Sequence, residues 1–280
     1  MHNLHAIAKF LRVMAWVLHG YWRVRTVFPK LSDEQQARAV EVWARGMLAI
    51  IGIDVRVKGH PAQGPVLMAA NHISWLDILV MHAACHCRFV AKSEIRDWPL
   101  VGVLTTGGGS LYIERGSRND AMRVVHQMAD ALQQGQVLAA FPEGRTGDGI
   151  SLLPFHANLL QAAISAEAPI QPVALQFMDA HTQERSLAPC YHDHDTLISS
   201  LWRTLCAPPL VAQVRYGDKQ NADGRNRREW AQSLQTSVAD FFETLAEVFT
   251  VLAASFLATG DFEIAGLVDV FALTRDGFVF

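Results

Sequence analysis

The chain has 280 residues, of which 50% are hydrophobic and 18% are charged, and its formal net charge at pH 7 is −3. This length fits one domain with appendages, and so apolar a composition supplies a large core with apolar surface left over to meet lipid. The slightly acidic balance excludes a general electrostatic basis for nucleic-acid binding. The four cysteines have no framework spacing, which indicates reduced thiols in a cytosol-facing protein.

The first 30 residues contain five lysines and arginines and no acidic residue. Basic side chains at positions 5, 9, 12, 19 and 23 recur at helical spacing, which predicts a cationic stripe on an otherwise apolar helix. The apolar stretch between Arg12 and Arg23 is shorter than the ~20 residues that a bilayer span requires. We therefore expect a helix that lies on an anionic membrane surface; the alternatives are a signal peptide and a helix docked on the core.

A second helix is predicted to begin after Ser32, with Gln35 completing a capping box, and to end near Ile51 before Gly52. From there, strand-like and helix-like stretches alternate, which predicts an α/β fold with a single mixed, mostly parallel sheet covered by helices. The predicted strands are Asp54–Lys58, Pro65–Ala70, Arg88–Lys92, Ser110–Ile113, Gln136–Phe141, Ile170–Phe177 and Leu210–Tyr216. The predicted helices are Trp75–Ala84, Arg118–Gln134, His156–Ala166, Leu197–Leu205 and Arg227–Val248.

A histidine and a carboxylate, His72 and Asp77, follow the second predicted strand. Residues five apart within a regular helix point about 140° away from each other, so the pair can meet only if His72 lies in the loop before the helix. Ser74 is the predicted cap of that helix. In this arrangement His72 can act as a base near neutral pH while Asp77 orients the ring. The alternative is a histidine in a turn beside an aspartate that serves only the helix start.

Two further segments offer polar groups at predicted strand ends. Arg115 follows a glycine run, residues 107–109, and a short strand, and its guanidinium could hold a phosphate through two parallel hydrogen bonds. Phe141-Pro142-Glu143-Gly144 ends an apolar strand in a sharp turn, and Arg145 comes next. Ligand sites in open α/β sheets cluster at such strand ends. The alternatives without a functional role are a solvated surface arginine at position 115 and an ordinary turn at residues 142–144.

Four blocks of sequence resemble the glycerolipid acyltransferases, specifically the bacterial 1-acylglycerol-3-phosphate acyltransferase type with its H-x-x-x-x-D motif. The resemblance covers residues 42 to 245 and departs from the family in one block, where Arg145-Thr146 reverses the usual Thr-Arg order. The blocks are Asn71-His72-Ile73-Ser74-Trp75-Leu76-Asp77, Tyr112-Ile113-Glu114-Arg115, Phe141-Pro142-Glu143-Gly144-Arg145-Thr146 and Ala168-Pro169-Ile170-Gln171-Pro172-Val173.

The resemblance implies that His72 is the general base and Asp77 its partner in transfer of an acyl group from acyl-CoA or acyl-carrier protein. The acceptor would be 1-acyl-sn-glycerol 3-phosphate and the product phosphatidic acid. The residues it implies for substrate binding are Asn71, Lys92, Arg115, Glu143, Gly144 and Arg145. Residues 1–51 are then a membrane-associating helical segment, residues 52–248 the catalytic domain and residues 249–280 a tail of unknown role. The expected location is the cytoplasmic face of the inner membrane.

Three alternatives keep the same scaffold. The first is an acyltransferase acting on lyso-ornithine lipid or another lysolipid, the second a non-catalytic lipid-binding protein, and the third a thioesterase that uses water in place of the lipid hydroxyl. No bound cofactor is expected. No metal site is expected either, because the histidine and cysteine clusters at residues 82–87 and 192–195 lack the paired spacing typical of zinc ligands.

Overall fold

The structure, a computed structural model, describes residues 2–113, 118–192 and 194–242. The helices are α1 His2–Thr26, α2 Asp33–Ile51, α3 Leu76–Ala84, α4 Val101–Gly107, α5 Arg118–Gln133, α6 Leu160–Ser165 and α7 Leu197–Cys206, with α8 over residues 227–242. The strands are β1 Ile53–Lys58, β2 Val66–Ala70, β3 Arg88–Lys92, β4 Leu111–Ile113, β5 Val137–Ala140, β6 Ile170–Asp179 and β7 Leu210–Tyr216. Met1–Ala239 forms one compact unit.

These strands form one sheet in the order β1-β7-β6-β2-β5-β3-β4. β2 pairs in parallel with β5 and β6, and β3 pairs in parallel with β5 and β4. β7 runs antiparallel to β6 and parallel to β1, so that β1 and β7 oppose the other five described strands. The predicted α/β fold with a single mixed, mostly parallel sheet is thereby confirmed.

β2 is the strand that positions the site. All five of its residues are buried, as expected for an unbroken apolar run in a parallel strand covered on both faces. Because β2, β5, β3 and β4 run in the same direction, the segments that follow them leave the sheet at one edge. The predicted site residues lie in or next to these segments, so the topology brings the separate sequence blocks to one side of the molecule.

α2 shows how closely local sequence fixes an element. Ser32 accepts a hydrogen bond from the Gln35 backbone N–H, and the Gln35 side chain accepts one from the Ser32 N–H, which is the predicted capping box. Gly52 ends the helix at φ +100°, a backbone conformation that glycine adopts without a steric penalty. Both predicted ends of this helix are confirmed.

α1 is docked along one face against α2, α4 and α7. The buried positions recur at seven-residue steps in Ala6, Val13 and Gly20. Trp16 and Trp43 lock α1 to α2 reciprocally, since each indole N–H donates to the other residue's carbonyl oxygen at 3.0 and 3.1 Å. A Cβ atom at Gly20 would lie 2.5 Å from the Trp43 ring nitrogen, so the absence of a side chain there makes the close approach possible.

Three sequence predictions need correction. α4 was not predicted, and α6 begins at Leu160 rather than at His156. Lys9 does not belong to an exposed cationic stripe, because its ammonium turns inward and donates to the Ile51 carbonyl oxygen at 2.8 Å, at the end of α2. Burial lowers the pKa of this ammonium. None of the helices in the described part of the chain is both long and apolar enough to span a bilayer.

Three predictions fall on residues that the structure does not describe. Arg115 belongs to the gap at residues 114–117, and the tail at residues 249–280 lies beyond the last described residue. The proposed end of the last helix at Val248 also lies outside the described residues. The division into residues 1–51, 52–248 and 249–280 therefore stays a prediction.

Candidate active site

The structure brings His72 and Asp77 together at the end of β2. The His72 Nδ1 atom lies 2.8 Å from the Asp77 Oδ2 atom. His72 occupies the loop between β2 and α3, and Asp77 the first turn of α3, so the five-residue spacing is resolved as the sequence predicted. The Asp77 side chain is fully buried, whereas 18% of the His72 side chain is exposed to solvent. The pair thus consists of a buried carboxylate and a histidine that is partly exposed to solvent.

Asp77 holds the whole loop and also serves the start of α3. Its Oδ2 atom also accepts the backbone N–H groups of Ile73 at 2.6 Å and of Ser74 at 2.8 Å. The regular hydrogen bonding of α3 begins at Leu76, and Trp75 before it has helical backbone angles and no side-chain cap contact. The Ser74 hydroxyl accepts the Leu76 backbone N–H at 3.3 Å, so Ser74 caps this helix start as predicted. The other carboxylate oxygen, Oδ1, is buried and has no hydrogen-bond partner among the described residues.

The His72 ring is fixed by stacking as well as by hydrogen bonding. It lies parallel to the Phe141 ring, with the ring centroids 3.9 Å apart and the planes 8° apart. Since a carboxylate only accepts hydrogen bonds, the contact with Asp77 assigns the neutral ring's proton to Nδ1. The Nε2 atom then carries the lone pair, as a general base requires. Phe141 was part of a matched sequence block, but its stacking role was not predicted.

The Glu143 carboxylate links two loops through hydrogen bonds and is not directed toward solvent. One carboxylate oxygen accepts the His72 backbone N–H at 2.7 Å, and the other accepts the Leu153 backbone N–H at 2.9 Å. The residue is buried, and burial raises the pKa of Glu143, while the two backbone donors oppose that shift. If Glu143 contacts the acceptor directly, it must use the carboxylate lone pairs that these two backbone N–H groups leave unoccupied.

The turn after Glu143 is exposed. Gly144 has φ +71° and its N–H donates to the Phe141 carbonyl oxygen at 3.0 Å, a conformation that favours glycine. The side chain of Arg145 is exposed at this edge of the sheet. The hydroxyl of Thr146 donates to the Tyr191 carbonyl oxygen at 2.6 Å. In the reversed Arg-Thr order, the threonine therefore serves an internal contact and the arginine faces outward.

Asn71 and Lys92 occupy different environments. Asn71 is buried, and its amide group donates to the Leu175 carbonyl oxygen at 3.0 Å and accepts the Leu175 N–H at 2.7 Å. It thus continues the pairing of β2 with β6 past the end of the strand. Lys92 is exposed at the end of β3, at the same sheet edge as His72. Its part in binding the acceptor stays a prediction.

Sequence reasoning missed a second support for the His72 loop. The Tyr191 backbone N–H donates to the Ile73 carbonyl oxygen at 3.0 Å, although residues 179–195 look like an irregular loop in the sequence. The Gly147 N–H donates to the His72 carbonyl oxygen at 2.7 Å. These contacts join chain segments that are far apart in sequence, and no local motif signals them.

The histidine and cysteine cluster at residues 82–87 is not arranged as a metal site. His82 is buried, and desolvation, with a smaller contribution from His86, lowers its pKa to about 3, so the ring stays neutral. Its ring lies edge-on to Phe89, with centroids 5.1 Å apart. Within residues 2–113, 118–192 and 194–242, no group of three or more potential ligands is placed to hold a metal ion.

Comparisons with known proteins identify the family. A family model described as acyltransferase matches residues 53–176. A 1-acyl-sn-glycerol-3-phosphate acyltransferase of Neisseria meningitidis is 41% identical over 213 residues, which are 75% of this chain and 82% of the relative. A lyso-ornithine lipid O-acyltransferase of Pseudomonas aeruginosa is 34% identical over 252 residues, which are 90% of this chain and 95% of the relative.

A solved structure agrees with these relatives at the level of the fold. The crystal structure of a 1-acyl-sn-glycerophosphate acyltransferase from Thermotoga maritima superimposes with a TM-score of 0.60 at 17% identity. The match covers 85% of this chain and 98% of that one. The family predicted from the four sequence blocks is confirmed by relatives that match along most of their length. The chain belongs to the glycerolipid acyltransferase family and is an acyltransferase.

Proposed function

We propose that this enzyme moves an acyl group from an acyl thioester to the free hydroxyl of a lysophospholipid, with 1-acyl-sn-glycerol 3-phosphate as the acceptor and phosphatidic acid as the product. The observation that carries the mechanism is the 2.8 Å contact between His72 Nδ1 and Asp77 Oδ2, beside a ring that solvent reaches. The name of the Neisseria meningitidis relative supports the choice of acceptor.

The path of the proton in the reaction follows from this geometry. The Nε2 atom of His72 takes the proton of the acceptor hydroxyl as that oxygen attacks the thioester carbonyl carbon. The imidazolium that forms is stabilised by the Asp77 carboxylate. The attack forms the C–O bond of the new ester, and the C–S bond of the thioester breaks. The leaving thiolate takes the proton from Nε2 and departs as a thiol. A thioester is reactive enough that base catalysis and positioning suffice, so no covalent acyl-enzyme is required.

The same mechanism serves either donor, acyl-CoA or acyl-carrier protein. Both present the reacting carbonyl as a thioester, and neither is a resident cofactor. On the acceptor side, the exposed cations Lys92 and Arg145 lie in or beside segments that leave the sheet at the same edge as His72. They are proposed to attract the acceptor phosphate, and Arg115 is proposed to bind it, as the family resemblance implies.

A second acceptor has specific support. The Pseudomonas lyso-ornithine lipid acyltransferase aligns over 95% of its length, a larger share than the Neisseria relative does. The two functions share His72 and Asp77 and differ only in the head group that is recognised. An ornithine head group carries a carboxylate in place of a phosphate monoester, and a guanidinium can bind both.

One experiment separates these functions. Purified protein is incubated with a mixture of acyl thioesters and equal amounts of lysophosphatidic acid and lyso-ornithine lipid, and the products are identified by mass spectrometry. The proposal predicts phosphatidic acid as the main product and its loss in His72→Ala. Exclusive acylation of lyso-ornithine lipid would favour the second function, and thiol release with neither lipid acylated would indicate a thioesterase.

We further propose that α1 attaches the enzyme peripherally to the cytoplasmic face of the inner membrane. Its outer side carries an exposed apolar stripe with steps of three, four and seven residues, which runs through Leu4, Ile7, Leu11, Leu18 and Trp22. Leu11 lies about 200° around the helix from the buried Val13, so the stripe faces away from the protein. The excess of lysine and arginine in residues 1–30 favours anionic lipid.

The apolar surface continues onto α7. Phe10 of α1 contacts Trp202, with ring centroids 6.5 Å apart, and Trp202 and Ile198 are both exposed. Ile7 and Phe10 are neighbours three residues apart on the α1 surface, which connects the outer stripe to this contact. A membrane bound to α1 would therefore meet apolar side chains of the catalytic unit as well.

Point substitutions test the attachment better than removal of α1, because removal would expose the core that Ala6 and Val13 cover. Leu11→Gln and Trp22→Gln are expected to reduce flotation with vesicles of phosphatidylglycerol and phosphatidylethanolamine by about tenfold together. Met122→Gln is the matched control, since Met122 is equally exposed on α5. Flotation that does not change in the Leu11 and Trp22 variants would contradict the proposal.

A further inference from the structure

Arg203 of α7 forms hydrogen bonds to the loop before α7, which lies outside all the predicted motifs. Its Nε donates to the Ala188 carbonyl oxygen at 3.0 Å, and its Nη2 also donates to the Cys190 carbonyl oxygen. The two terminal nitrogens grip the Asp195 carboxylate at 2.9 and 2.8 Å. Such a two-pronged contact fixes the orientation of the guanidinium, which a single point charge could not do.

The segment that Arg203 holds, residues 188–191, touches the catalytic loop directly. The Tyr191 N–H donates to the carbonyl oxygen of Ile73, the residue after His72, at 3.0 Å. Cys190 is fully buried, and burial together with the nearby Asp77 carboxylate raises the pKa of its thiol to about 11. The segment therefore contacts the backbone beside the proposed base, and its buried thiol lies within electrostatic range of the carboxylate that orients that base.

α7 supports the same loop at a second point. The Trp75 indole N–H donates to the Ser200 hydroxyl at 3.2 Å, and Ser200 is buried three residues before Arg203. Residues three apart lie on neighbouring positions of a helix surface. The loop from His72 to Trp75 is thus held by α7 twice, once through Ser200 and once through the segment that Arg203 fixes.

We propose that Arg203 is a positioning residue for acyl transfer. It holds residues 188–191 in place, these hold the Ile73 carbonyl, and the His72 ring is thereby kept at the angle that aims Nε2 at the acceptor hydroxyl. Arg203 itself touches no reacting atom. It lies outside residues 53–176, which the acyltransferase family model covers. This inference rests on the proposed role of His72 as the general base.

Arg203→Lys tests the proposal because it keeps the charge and removes the planar fork. One ammonium cannot reach the Asp195 carboxylate and the Ala188 and Cys190 carbonyl oxygens in the same geometry. We expect kcat to fall by about tenfold or more and the KM values for thioester and acceptor to change by less than about threefold, since a misplaced base slows chemistry more than binding. Asp195→Asn, which leaves both carbonyl contacts intact, is expected to have a smaller effect in the same direction.

Arg225→Lys is the matched control. Arg225 likewise bridges a loop and a helix, donating to the Ala222 carbonyl oxygen at 3.1 Å and to the Ser233 hydroxyl at 3.0 Å. If the role of Arg203 were only structural, the two variants would lower the melting temperature alike and leave kcat unchanged. The downfield proton NMR signal of His72 Nδ1–H, assigned by its loss in His72→Ala, gives a second readout. It should shift in Arg203→Lys and stay in place in Arg225→Lys.

The outcomes distinguish this inference from the proposed function. Full activity in His72→Ala would refute the base mechanism itself. Loss of activity in His72→Ala, together with a normal kcat and an unshifted His72 signal in folded Arg203→Lys, would overturn the inference about Arg203 and leave the mechanism standing. A fall in kcat at near-constant KM, with the shifted signal, supports both.

Discussion

The turns after β2 and β5 lie side by side at one sheet edge, yet they differ in how far their side chains are exposed. The turn that carries His72 is held by Asp77, Glu143 and Tyr191, whereas the turn that carries Arg145 is exposed at Gly144 and Arg145. A base must keep its angle to the reacting oxygen within narrow limits, while a charged acceptor can be attracted by an exposed cation. The held turn thus suits proton transfer and the exposed turn suits capture of the acceptor.

The largest expected effect comes from removing the base of the held turn. His72→Ala should lower kcat by about 10²–10⁴-fold, the usual contribution of a positioned general base. The measurement is acyl transfer to lysophosphatidic acid, with folding checked by circular dichroism. His60→Ala is the control, because His60 is exposed and lies outside the loops that leave the sheet after β2 and β5. An active, folded His72→Ala protein would remove the distinction between the two turns.

Asp77→Asn should have the next largest effect, a fall in kcat of about 10²-fold. The amide oxygen can still accept the Ile73 and Ser74 N–H groups, but the charge that stabilises the imidazolium is gone. The melting temperature should also fall, since Asp77 is buried and holds three donors. Asp130→Asn, an exposed site on α5, is the control, and a kcat equal to that of the wild type would show that Asp77 serves only the helix start.

The exposed turn should respond differently. Arg145→Ala is expected to raise the KM for lysophosphatidic acid by about tenfold and to leave kcat within about threefold, because attraction of the acceptor is lost and the base is untouched. Arg228→Ala, an exposed arginine on α8, controls for the change in net charge. The comparison fails if Arg145→Ala lowers kcat as strongly as the variants of the held turn do.

The smallest expected effect concerns Glu143, the link between the two turns. Burial raises the pKa of this carboxyl in the folded chain, so between its ordinary pKa and the raised value the folded chain binds more protons than the unfolded chain. Stability contributed by this group is therefore lost as pH rises through that window. Glu143→Gln should flatten this part of the unfolding free energy against pH in urea titrations, and an unchanged slope would contradict the raised pKa.

Local patterns were sufficient to predict several elements. The capping box of Ser32 and Gln35 and the stop at Gly52 depend only on neighbouring residues, and both ends of α2 were predicted from them. The bounds of β3 and β7 also match the prediction, since an apolar or β-branched run between polar or turn residues is a local signal. The meeting of His72 with Asp77 was predictable because a short loop and one helix start bring them together.

Contacts between distant segments were not predictable from local sequence. Glu143 accepts from the His72 N–H across 71 positions of sequence, and Tyr191 reaches Ile73 across more than a hundred. Long-range contacts also hold the segment before α6, since the backbone N–H groups of Leu153 and His156 bond to Glu143 and to Pro142. Such pairings depend on the assembled sheet, which brings the ends of β2 and β5 side by side.

The most direct test of the account is a double-mutant cycle of His72→Ala and Asp77→Asn, measured as kcat for acyl transfer. If Asp77 acts through the His72 ring, the double variant should be about as slow as His72→Ala alone. Once the imidazole is absent, Asp77 has no ring to orient, so its replacement cannot lower kcat further. Effects that multiply, so that the double variant is slower by the product of the two single losses, would show that the residues act independently and would contradict the proposed mechanism.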